Sequence, residues 1–242
     1  MTKELTNKRI IITGGTSGIG AALVIMLLEE GAELLVVGRR KIARRDLPRG
    51  VTYCQTDLNS LAALDVIEKK LDDLGWHTLD GLVLNAAKGF VGEFLDETPE
   101  FINEIVDTNV VVPMSMAHLL YARLELAGGF CLFVGSTATR KPAPLFATYS
   151  ATKAGFGDLA RNLGTEWQGR VDVLEVHPGP TRTDFHKKSG LENPPLAFLY
   201  MKPEEVARGI LKSIKKRRRR VAFDNWSLLG RALLRLVAGG RS

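Results

Sequence analysis

The 242-residue sequence contains only two cysteines, and it lacks a long uninterrupted apolar run. Cys54 and Cys131 each fall inside a segment predicted to be a strand, so we interpret them as buried reduced thiols. No apolar run reaches the roughly 18–20 residues that a membrane-spanning helix needs. The chain begins almost directly on its first apolar segment, so we expect no signal peptide. These absences predict a soluble, cytoplasmic protein.

Internal repeats, low-complexity linkers and nucleic-acid-reading motifs are also missing. The length suits one large α/β domain, and a hydrophobic content of 45% is enough for a sizeable core. The net charge of +6 is modest, and without a reading motif it does not indicate a nucleic-acid partner. We therefore predict a single domain over residues 1–242 that binds no nucleic acid, and we identify no metal-ligating pattern.

Seven short apolar segments alternate with segments of helical composition. Most of these segments are continuously apolar, which is typical of parallel strands covered by helices on both faces. The sequence therefore predicts an α/β, doubly wound Rossmann fold with about seven parallel strands. The predicted strands are 10–12, 32–38, 51–55, 80–85, 129–135, 171–177 and 220–223, and the predicted helices are 21–30, 59–74, 99–127, 147–167 and 203–216.

Residues 8–20, KRIIITGGTSGIG, read as a strand, a glycine-rich turn and the start of a helix. Glycine lets the backbone turn sharply and approach a phosphate closely. The start of a helix adds unpaired N–H groups and a partial positive charge. The spacing of Gly14, Gly18 and Gly20 is G-x-x-x-G-x-G rather than the commoner G-x-G-x-x-G. A glycine turn can be purely structural, but its place between a strand and a helix predicts a dinucleotide phosphate site.

Tyr149 and Lys153 lie four residues apart on a predicted helix, so they project from one face. An ammonium near a phenol lowers the phenol pKa from about 10, which would make the tyrosine a general acid–base. Ser136 follows the fifth strand, at the edge where open α/β sheets bind ligands. Both observations also have a purely structural interpretation. Tyr149 and Lys153 could lie on a solvated helix face, and Ser136 could simply form a turn at the end of the strand. Asn109, in a helix interior where asparagine is a poor helix former, is best read from its residue type as facing solvent.

Together these motifs resemble the short-chain dehydrogenase/reductase family over roughly residues 7–223. The resemblance is to the single-domain type, with T-G-x-x-x-G-I-G at 13–20 and Y-x-x-x-K at 149–153. It implies strand order 3-2-1-4-5-6-7 and a homodimer or homotetramer built through helices 99–127 and 147–167. It also implies hydride transfer between a nicotinamide and a carbonyl or secondary alcohol. The other matching residues are Asp57, Leu58, Asn85, Ala86, Asn109, Ser136, Pro178, Gly179 and Thr183.

The resemblance implies a role for each catalytic residue. Tyr149 would exchange a proton with the substrate oxygen, while Lys153 would lower the pKa of Tyr149 and bind the nicotinamide ribose. Ser136 would orient and polarise the carbonyl, and Asn109 would hold a water in a proton relay to Lys153. Besides Tyr149 and Lys153, the implied cofactor contacts are Gly14, Thr16, Ser17, Gly18, Ile19, Gly20, Asp57, Leu58, Asn85, Ala86, Ala87, Pro178, Gly179, Thr181 and Thr183.

Asp57 is implied to contact the adenine and Asn85 to lie beside the adenosine ribose. Ala87 departs from the family, which has glycine there, and we expect it to alter cofactor fit slightly without abolishing binding.

The residues after the second strand predict which cofactor binds. NAD-preferring sites place an acidic residue there to bind the ribose 2′-hydroxyl, whereas this chain has Gly38, Arg39 and Arg40. A guanidinium can bind a 2′-phosphate with two hydrogen bonds. We therefore predict NADP(H) rather than NAD(H), with Arg39 as the main contact. The alternative is a solvated basic loop, because residues 41–45 carry further basic side chains.

Segments 88–96, 137–146 and 185–200 are predicted to select the substrate. Their composition favours an apolar pocket, although some of these side chains could belong to the core. The large apolar and aromatic residues in these segments include Phe90, Phe94, Leu145, Phe146, Phe185, Leu196, Phe198 and Tyr200.

The densest charge run, KKRRRR at 215–220, is interpreted as a solvated loop. Residues 224–242 are predicted to form a C-terminal amphipathic helical tail, with Trp226, Leu229 and Leu233 on one side. Docking on the core or on a second copy is favoured. A basic run beside such a helix also suggests a weak peripheral membrane contact as a hypothesis.

The sequence thus favours an NADP(H)-dependent oxidoreductase that acts on an apolar carbonyl or alcohol. One alternative is a non-catalytic NADP-binding regulatory or scaffold protein with the same fold. Another is an epimerase or dehydratase of the same family. The presence of all four catalytic residue types favours the oxidoreductase.

Overall fold

Seven parallel strands form one sheet in the order β3-β2-β1-β4-β5-β6-β7, which confirms the predicted order. The computed structural model describes residues 4–43, 47–139, 143–190 and 200–223. The strands are β1 Arg9–Thr13, β2 Glu33–Gly38, β3 Val51–Gln55, β4 Gly81–Leu84, β5 Phe130–Val134, β6 Asp172–Pro178 and β7 Arg220–Phe223. The helices are α1 Gly18–Glu29, α2 Ala62–Asp73, α3 Pro99–Val106, α4 Val112–Leu126, α5 Ala147–Glu166, α6 Phe185–Lys188 and α7 Pro203–Lys215.

Both faces of the sheet are covered, which explains why the strands are continuously apolar. Successive strand residues point to opposite faces, so Ile11 joins a core with α2, α4 and α5. Its neighbours Ile10 and Ile12 join a second core with α1 and α7. All three isoleucines are fully buried. Both cysteines are free and buried, as predicted.

The strand order reverses direction at β1, which lies between β2 and β4. Because every strand is parallel, all the carboxyl ends meet at one edge of the sheet, and ligands of open α/β sheets bind at such a reversal. The glycine turn follows β1, and Asn85 follows β4. The fold therefore brings two predicted binding segments to one crevice.

The predicted helix 99–127 is divided into α3 and α4 by a π-helical turn at Asp107–Val111. Proline disfavours a helix interior, so the sequence predicts that Pro113 kinks or divides this helix, and the π-helical turn ends two residues before it. The irregular turn contains Asn109.

By length and composition alone, the 28-residue helical stretch Pro99–Leu126 could cross a membrane. The sequence expectation that no segment is long and apolar enough is therefore wrong. Ile105, Met116 and Leu120 are at most 1% exposed and belong to the protein core. We therefore interpret the stretch as a core helix of the domain.

The basic run 215–220 is exposed from Lys216 to Arg220, as predicted, but it is not a loop throughout, because it includes the end of α7 and the start of β7. Lys215 ends α7 and pairs with Glu30 at 3.0 Å, and Arg217 pairs with Asp172 at 3.3 Å. Arg220 pairs with a buried carboxylate on β6. The predicted tail 224–242 lies outside the described residues.

Small residues along α5 form an exposed strip that includes Ala151, Ala154 and Gly155. A Cβ added to Gly155 would meet no atom within 4 Å in the described part of the chain. This open face would accommodate a second helix, but the homo-oligomer stays a prediction.

Candidate active site

A cavity of about 980 Å³ lies at the carboxyl edge of the sheet, across the reversal between β1 and β4. Its walls include the segments that follow β1 to β6. Every predicted cofactor contact lines it, and so do Ser136, Tyr149 and Lys153. Of the predicted catalytic residues, Asn109 alone does not line it.

The glycine turn needs glycine for two separate reasons. Gly14 and Gly18 adopt φ values of 67° and 55°, in the left-handed region that other residues rarely adopt. A Cβ on Gly14 would also lie 2.9 Å from Cα of Ala86. Ser17 precedes α1 without a capping hydrogen bond from its side chain, so the first amides of the helix remain for a ligand. The arrangement suits an anion such as a pyrophosphate.

Thr13 joins the ends of β1 and β4, a role that the sequence analysis did not assign to it. Its hydroxyl oxygen accepts hydrogen bonds from the backbone N–H groups of Asn85 and Ala86, both at 3.0 Å. The Asn85 side chain donates back to the carbonyl oxygens of Thr13 at 3.0 Å and Gly14 at 3.3 Å. Asn85 therefore holds the glycine turn in place while it lines the cavity.

The two arginines after β2 occupy different environments. Arg40 turns back to Thr16, where it donates to the carbonyl oxygen and, at 3.3 Å, to the hydroxyl. The Tyr53 hydroxyl in turn donates to the carbonyl of Arg40 at 2.7 Å. Arg39 is exposed and lines the cavity, as does Asp57. Both arginines line the cavity, and Arg40 also fixes the loop.

Tyr149 lines the cavity between two aromatic rings. Its ring centroid lies 5.1 Å from that of Phe185 and 6.4 Å from that of Phe146. Burial among these groups raises the pKa of Tyr149 to about 12, although a hydrogen bond with the Ser136 side chain acts in the opposite direction. The expectation that Lys153 lowers this pKa is therefore wrong for the cofactor-free protein.

Lys153 is buried at 2% exposure, one helical turn after Tyr149. Its ammonium donates to the carbonyl oxygen of Val134 at 2.8 Å and lies 5.0 Å from the ring centre of Phe156. Burial lowers the pKa of Lys153 to about 8, because removal from water disfavours the charged form. The lysine is thus a costly buried cation at the wall of the cavity.

Ser136 lies two residues beyond β5 in a tightly hydrogen-bonded turn. Its hydroxyl oxygen accepts the N–H of Ala138 at 3.1 Å, and its carbonyl accepts the Thr139 hydroxyl at 3.0 Å. A hydroxyl that already accepts one bond keeps its hydrogen for another partner. Ser136 can therefore donate a hydrogen bond into the cavity.

Asn109 is 1% exposed, so the interpretation as a solvent-facing residue is wrong. Its amide oxygen accepts the N–H of Lys88, and its amide nitrogen donates to the Lys88 carbonyl, both at 2.8 Å. The amide nitrogen also donates to the Thr152 hydroxyl at 3.0 Å. These contacts fix the segment after β4 against α5. The π-helical turn that carries Asn109 has no clear sequence signal.

Only some of the apolar and aromatic residues that were predicted to form the substrate pocket line the cavity. Phe146, Phe185 and Tyr200 line it, as predicted. Phe94 and Leu145 are instead at least half exposed and are absent from its walls. Phe90 packs edge-on against Phe101 rather than lining the cavity, and Leu196 and Phe198 lie outside the described residues.

The chain matches the profile of the short chain dehydrogenase family over residues 8–194. A protein of Escherichia coli strain K12, the cyclic-di-GMP-binding biofilm dispersal mediator protein, is 32% identical over 213 residues, covering 84% of this chain and 87% of that protein.

Two solved structures share the fold. A short-chain dehydrogenase from Sphingobium yanoikuyae in complex with NADPH has a TM-score of 0.81 at 25% identity, covering 97% of this chain and 96% of that one. A 3-ketoacyl-(acyl-carrier-protein) reductase from Brucella melitensis complexed with NADH has a TM-score of 0.80 at 24% identity, covering 91% and 97%. Since the family profile spans most of the sequence and the sheet order agrees, the chain belongs to the short-chain dehydrogenase/reductase family of oxidoreductases, whose fold binds a nicotinamide dinucleotide.

Proposed function

We propose that the protein is an NADP(H)-dependent reductase of an apolar carbonyl compound. The observation that carries this proposal is the convergence of Ser136, Tyr149 and Lys153 on the wall of the same cavity that the glycine turn lines. A cavity with a phosphate-binding turn and a phenol–lysine pair suits hydride transfer coupled to proton transfer.

The cavity residues fit a nicotinamide dinucleotide. The left-handed glycines and the uncapped start of α1 suit its pyrophosphate, and Asp57, which lines the same cavity, would contact the adenine. Arg39 is the basic side chain after β2 that remains free of the Thr16 contacts made by Arg40, which supports a 2′-phosphate contact. When bound, the cofactor supplies or accepts the hydride.

The chain's own residues would handle the substrate oxygen. The Ser136 hydroxyl donates a hydrogen bond to the carbonyl, and Tyr149 donates the proton that completes the alcohol. With its pKa raised to about 12, Tyr149 is a phenol near neutral pH and is therefore an acid rather than a base. In this protonation state Tyr149 can act as the proton donor in the direction of reduction. Oxidation would need the phenolate, so its rate should increase as pH rises.

The walls beside Tyr149 support an apolar substrate. Phe146 and Phe185 flank the proton donor, Tyr200 lines the same cavity, and a Cβ on Gly89 would lie 2.7 Å from the Phe185 ring. Such walls favour aliphatic or aromatic carbonyls over strongly hydrated ones.

A second candidate is a regulatory protein that binds a cyclic dinucleotide in this cavity. Its support is the name of the Escherichia coli relative and the two arginines beside the phosphate-binding turn. The complete serine, tyrosine and lysine set favours the reductase, because binding alone needs no proton donor.

Replacement of Tyr149 by Phe tests the reductase. We expect kcat to fall by about 10²-fold to 10⁴-fold, because the ring still packs but no proton donor remains. The assay follows NADPH oxidation with aldehydes, ketones, quinones and 3-oxoacyl thioesters, and NADPH affinity should stay within about threefold. Tyr121→Phe is the control, since Tyr121 hydrogen-bonds Glu125 far from the cavity and its loss should leave turnover unchanged. Retained turnover in Tyr149→Phe would overturn the mechanism.

Replacement of Lys153 by Met should abolish activity yet stabilise the cofactor-free protein. The folded-state pKa of about 8 lies below the ordinary lysine value of 10.5, so the folded state bears the cost of the buried cation at pH 7. At about 1.4 kcal/mol per pKa unit this cost is about 3 kcal/mol, and the lost bond to Val134 offsets about 1 kcal/mol. We expect a net gain of about 2 kcal/mol at pH 7.

That gain should diminish between pH 8 and pH 10. In this window the unfolded wild-type chain binds more protons than the folded chain, so wild-type stability rises with pH. Urea unfolding at pH 7 and pH 9.5 measures both effects. Lys69→Met, at an exposed site on α2, should show neither. A Lys153→Met variant that is no more stable than the wild type at pH 7 would contradict the assignment of Lys153 as a costly buried cation.

Replacement of Arg39 by Asp tests cofactor choice. We expect the NADPH Michaelis constant to rise by about 100-fold, because a guanidinium–phosphate contact becomes a repulsion, while that for NADH stays within about threefold. Lys41→Asp is the control at an exposed position two residues on. A native preference for NADH, or an equal loss with both cofactors, would refute the NADP(H) proposal.

Calorimetric titration with cyclic di-GMP separates the two candidates. The reductase proposal predicts no saturable binding at micromolar concentration and no displacement of NADPH. Micromolar binding that NADPH blocks and that Arg39→Asp removes would favour the regulatory candidate instead.

A further inference from the structure

Strand β6 buries an acidic and a basic side chain that the proposed reaction does not use. Glu175 and His177 are 3% and 4% exposed. They are two residues apart and therefore share a face of the strand, directed at α5, while Leu174 and Val176 join the opposite core. Charged groups are retained in a core only when they are paired or hydrogen-bonded, so this pair needs an explanation.

The pair forms a continuous chain of contacts from the protein surface to Ser136. Arg220, exposed on β7, lies 3.2 Å through Nε from Glu175 Oε2. The other carboxylate oxygen, Oε1, lies 2.8 Å from His177 Nε2. On the far side of the ring, Nδ1 lies 3.3 Å from the carbonyl oxygen of Ser136.

The proton positions in this chain follow from which groups can donate. A backbone carbonyl only accepts, so Nδ1 of His177 must carry the hydrogen that points to Ser136. Nε2 and Glu175 Oε1 lie 2.8 Å apart but make no hydrogen bond in the described part of the chain, so this contact does not fix the state of Nε2. A tautomer without a hydrogen on Nδ1 would set a nitrogen lone pair against the Ser136 oxygen with no hydrogen between them.

The surrounding backbone leaves room for the pair. A Cβ added to Gly157 on α5 would lie 2.6 Å from Glu175 Oε1. A Cβ added to Gly135, the residue before Ser136, would lie 3.0 Å from His177 Nδ1. Both contacts would be tighter than most contacts of a real Cβ, so glycine at these two positions leaves more room for the pair.

We infer that His177 is a positioning residue for Ser136, and this inference rests on the proposed reductase function. The Ser136 carbonyl receives the Thr139 hydroxyl at 3.0 Å and His177 Nδ1 at 3.3 Å. Together with the Ala138 amide on the serine hydroxyl, these bonds fix both ends of the residue. A misplacement of about 1 Å can lower a rate by 10²-fold, so holding this serine matters for turnover.

His177 also stabilises the core, and the test must separate that effect from positioning. Asn and Leu are nearly the same size, and both remove the imidazole partner of Glu175. The amide nitrogen of Asn can take the place of Nδ1 and donate to the Ser136 carbonyl, whereas Leu cannot. The comparison of His177→Asn with His177→Leu therefore isolates the hydrogen bond to Ser136.

We expect kcat for carbonyl reduction to fall by about tenfold or more in His177→Leu and to stay within about threefold of wild type in His177→Asn. The dissociation constant for NADPH and the melting temperature should be alike in the two variants. His77→Leu, at an exposed loop position, is the matched control and should resemble the wild type. Equal kcat values in His177→Asn and His177→Leu would overturn the inference.

A second measurement on the wild-type protein does not depend on turnover or on a variant that folds. Long-range ¹H–¹⁵N spectra of the imidazole groups at pH 7.5, with His177 assigned by its loss in His177→Asn, report which ring nitrogen carries a proton. We expect Nδ1 to be protonated, and an unprotonated Nδ1 would overturn the inference. Failure of the wild type to reduce any carbonyl would instead refute the proposed function and leave this result standing.

Discussion

The site depends on the junction between the ends of β1 and β4, and the hydroxyl of Thr13 holds this junction together. It spans the place where the strand order reverses, accepting two backbone N–H groups from the segment after β4 while the Asn85 amide returns a bond to the end of β1. Parallel strands bring their carboxyl ends to one edge, but they do not set the distance between the segments that follow. The Thr13–Asn85 contacts set it, and they place the glycine turn within van der Waals reach of Ala86.

At the end of the cavity that contains Tyr149 and Lys153, burial lowers the stability of the folded protein but provides a chemical group that the proposed reaction needs. The aromatic walls that exclude water raise the pKa of Tyr149 and lower that of Lys153, and both shifts disfavour the charged form. A neutral phenol suits a proton donor, so the shift of Tyr149 is compatible with the proposed reduction. The buried ammonium of Lys153 gains a single backbone carbonyl, which does not replace its lost hydration. A residue kept at such a cost is expected where function requires it.

The sheet could be predicted closely because its signals are local. The β3 prediction has the observed bounds, and the Ile10–Ile12 segment is apolar on both faces since both faces are covered. Gly14 and Gly18 were identifiable because few other residues adopt their backbone conformation. The burial of Asn109 was not predictable, since it depends on a π-helical turn and on the backbone of Lys88, distant in sequence.

Electrostatic expectations failed for a related reason. A Y-x-x-x-K spacing shows that two side chains share a helix face, but it contains no information on how much water remains around them. The basic run 215–220 likewise gives no hint of carboxylates such as Glu30 and Asp172, which come from other elements. Spacing along one element is readable from sequence, whereas desolvation and ion pairing depend on what packs against it.

Main-chain groups, rather than other side chains, orient most of the polar residues of this site. Thr13 is fixed by two amides, Asn109 by the amide and carbonyl of Lys88, Lys153 by the carbonyl of Val134, and Ser136 by the amide of Ala138. A backbone group keeps its position whatever side chain it carries, provided that the strand or turn is preserved. Replacing a residue that lends only its backbone group should therefore disturb the site less than replacing the side chain that binds this group. Such a dependence on the backbone is compatible with a fold that is shared at 25% identity.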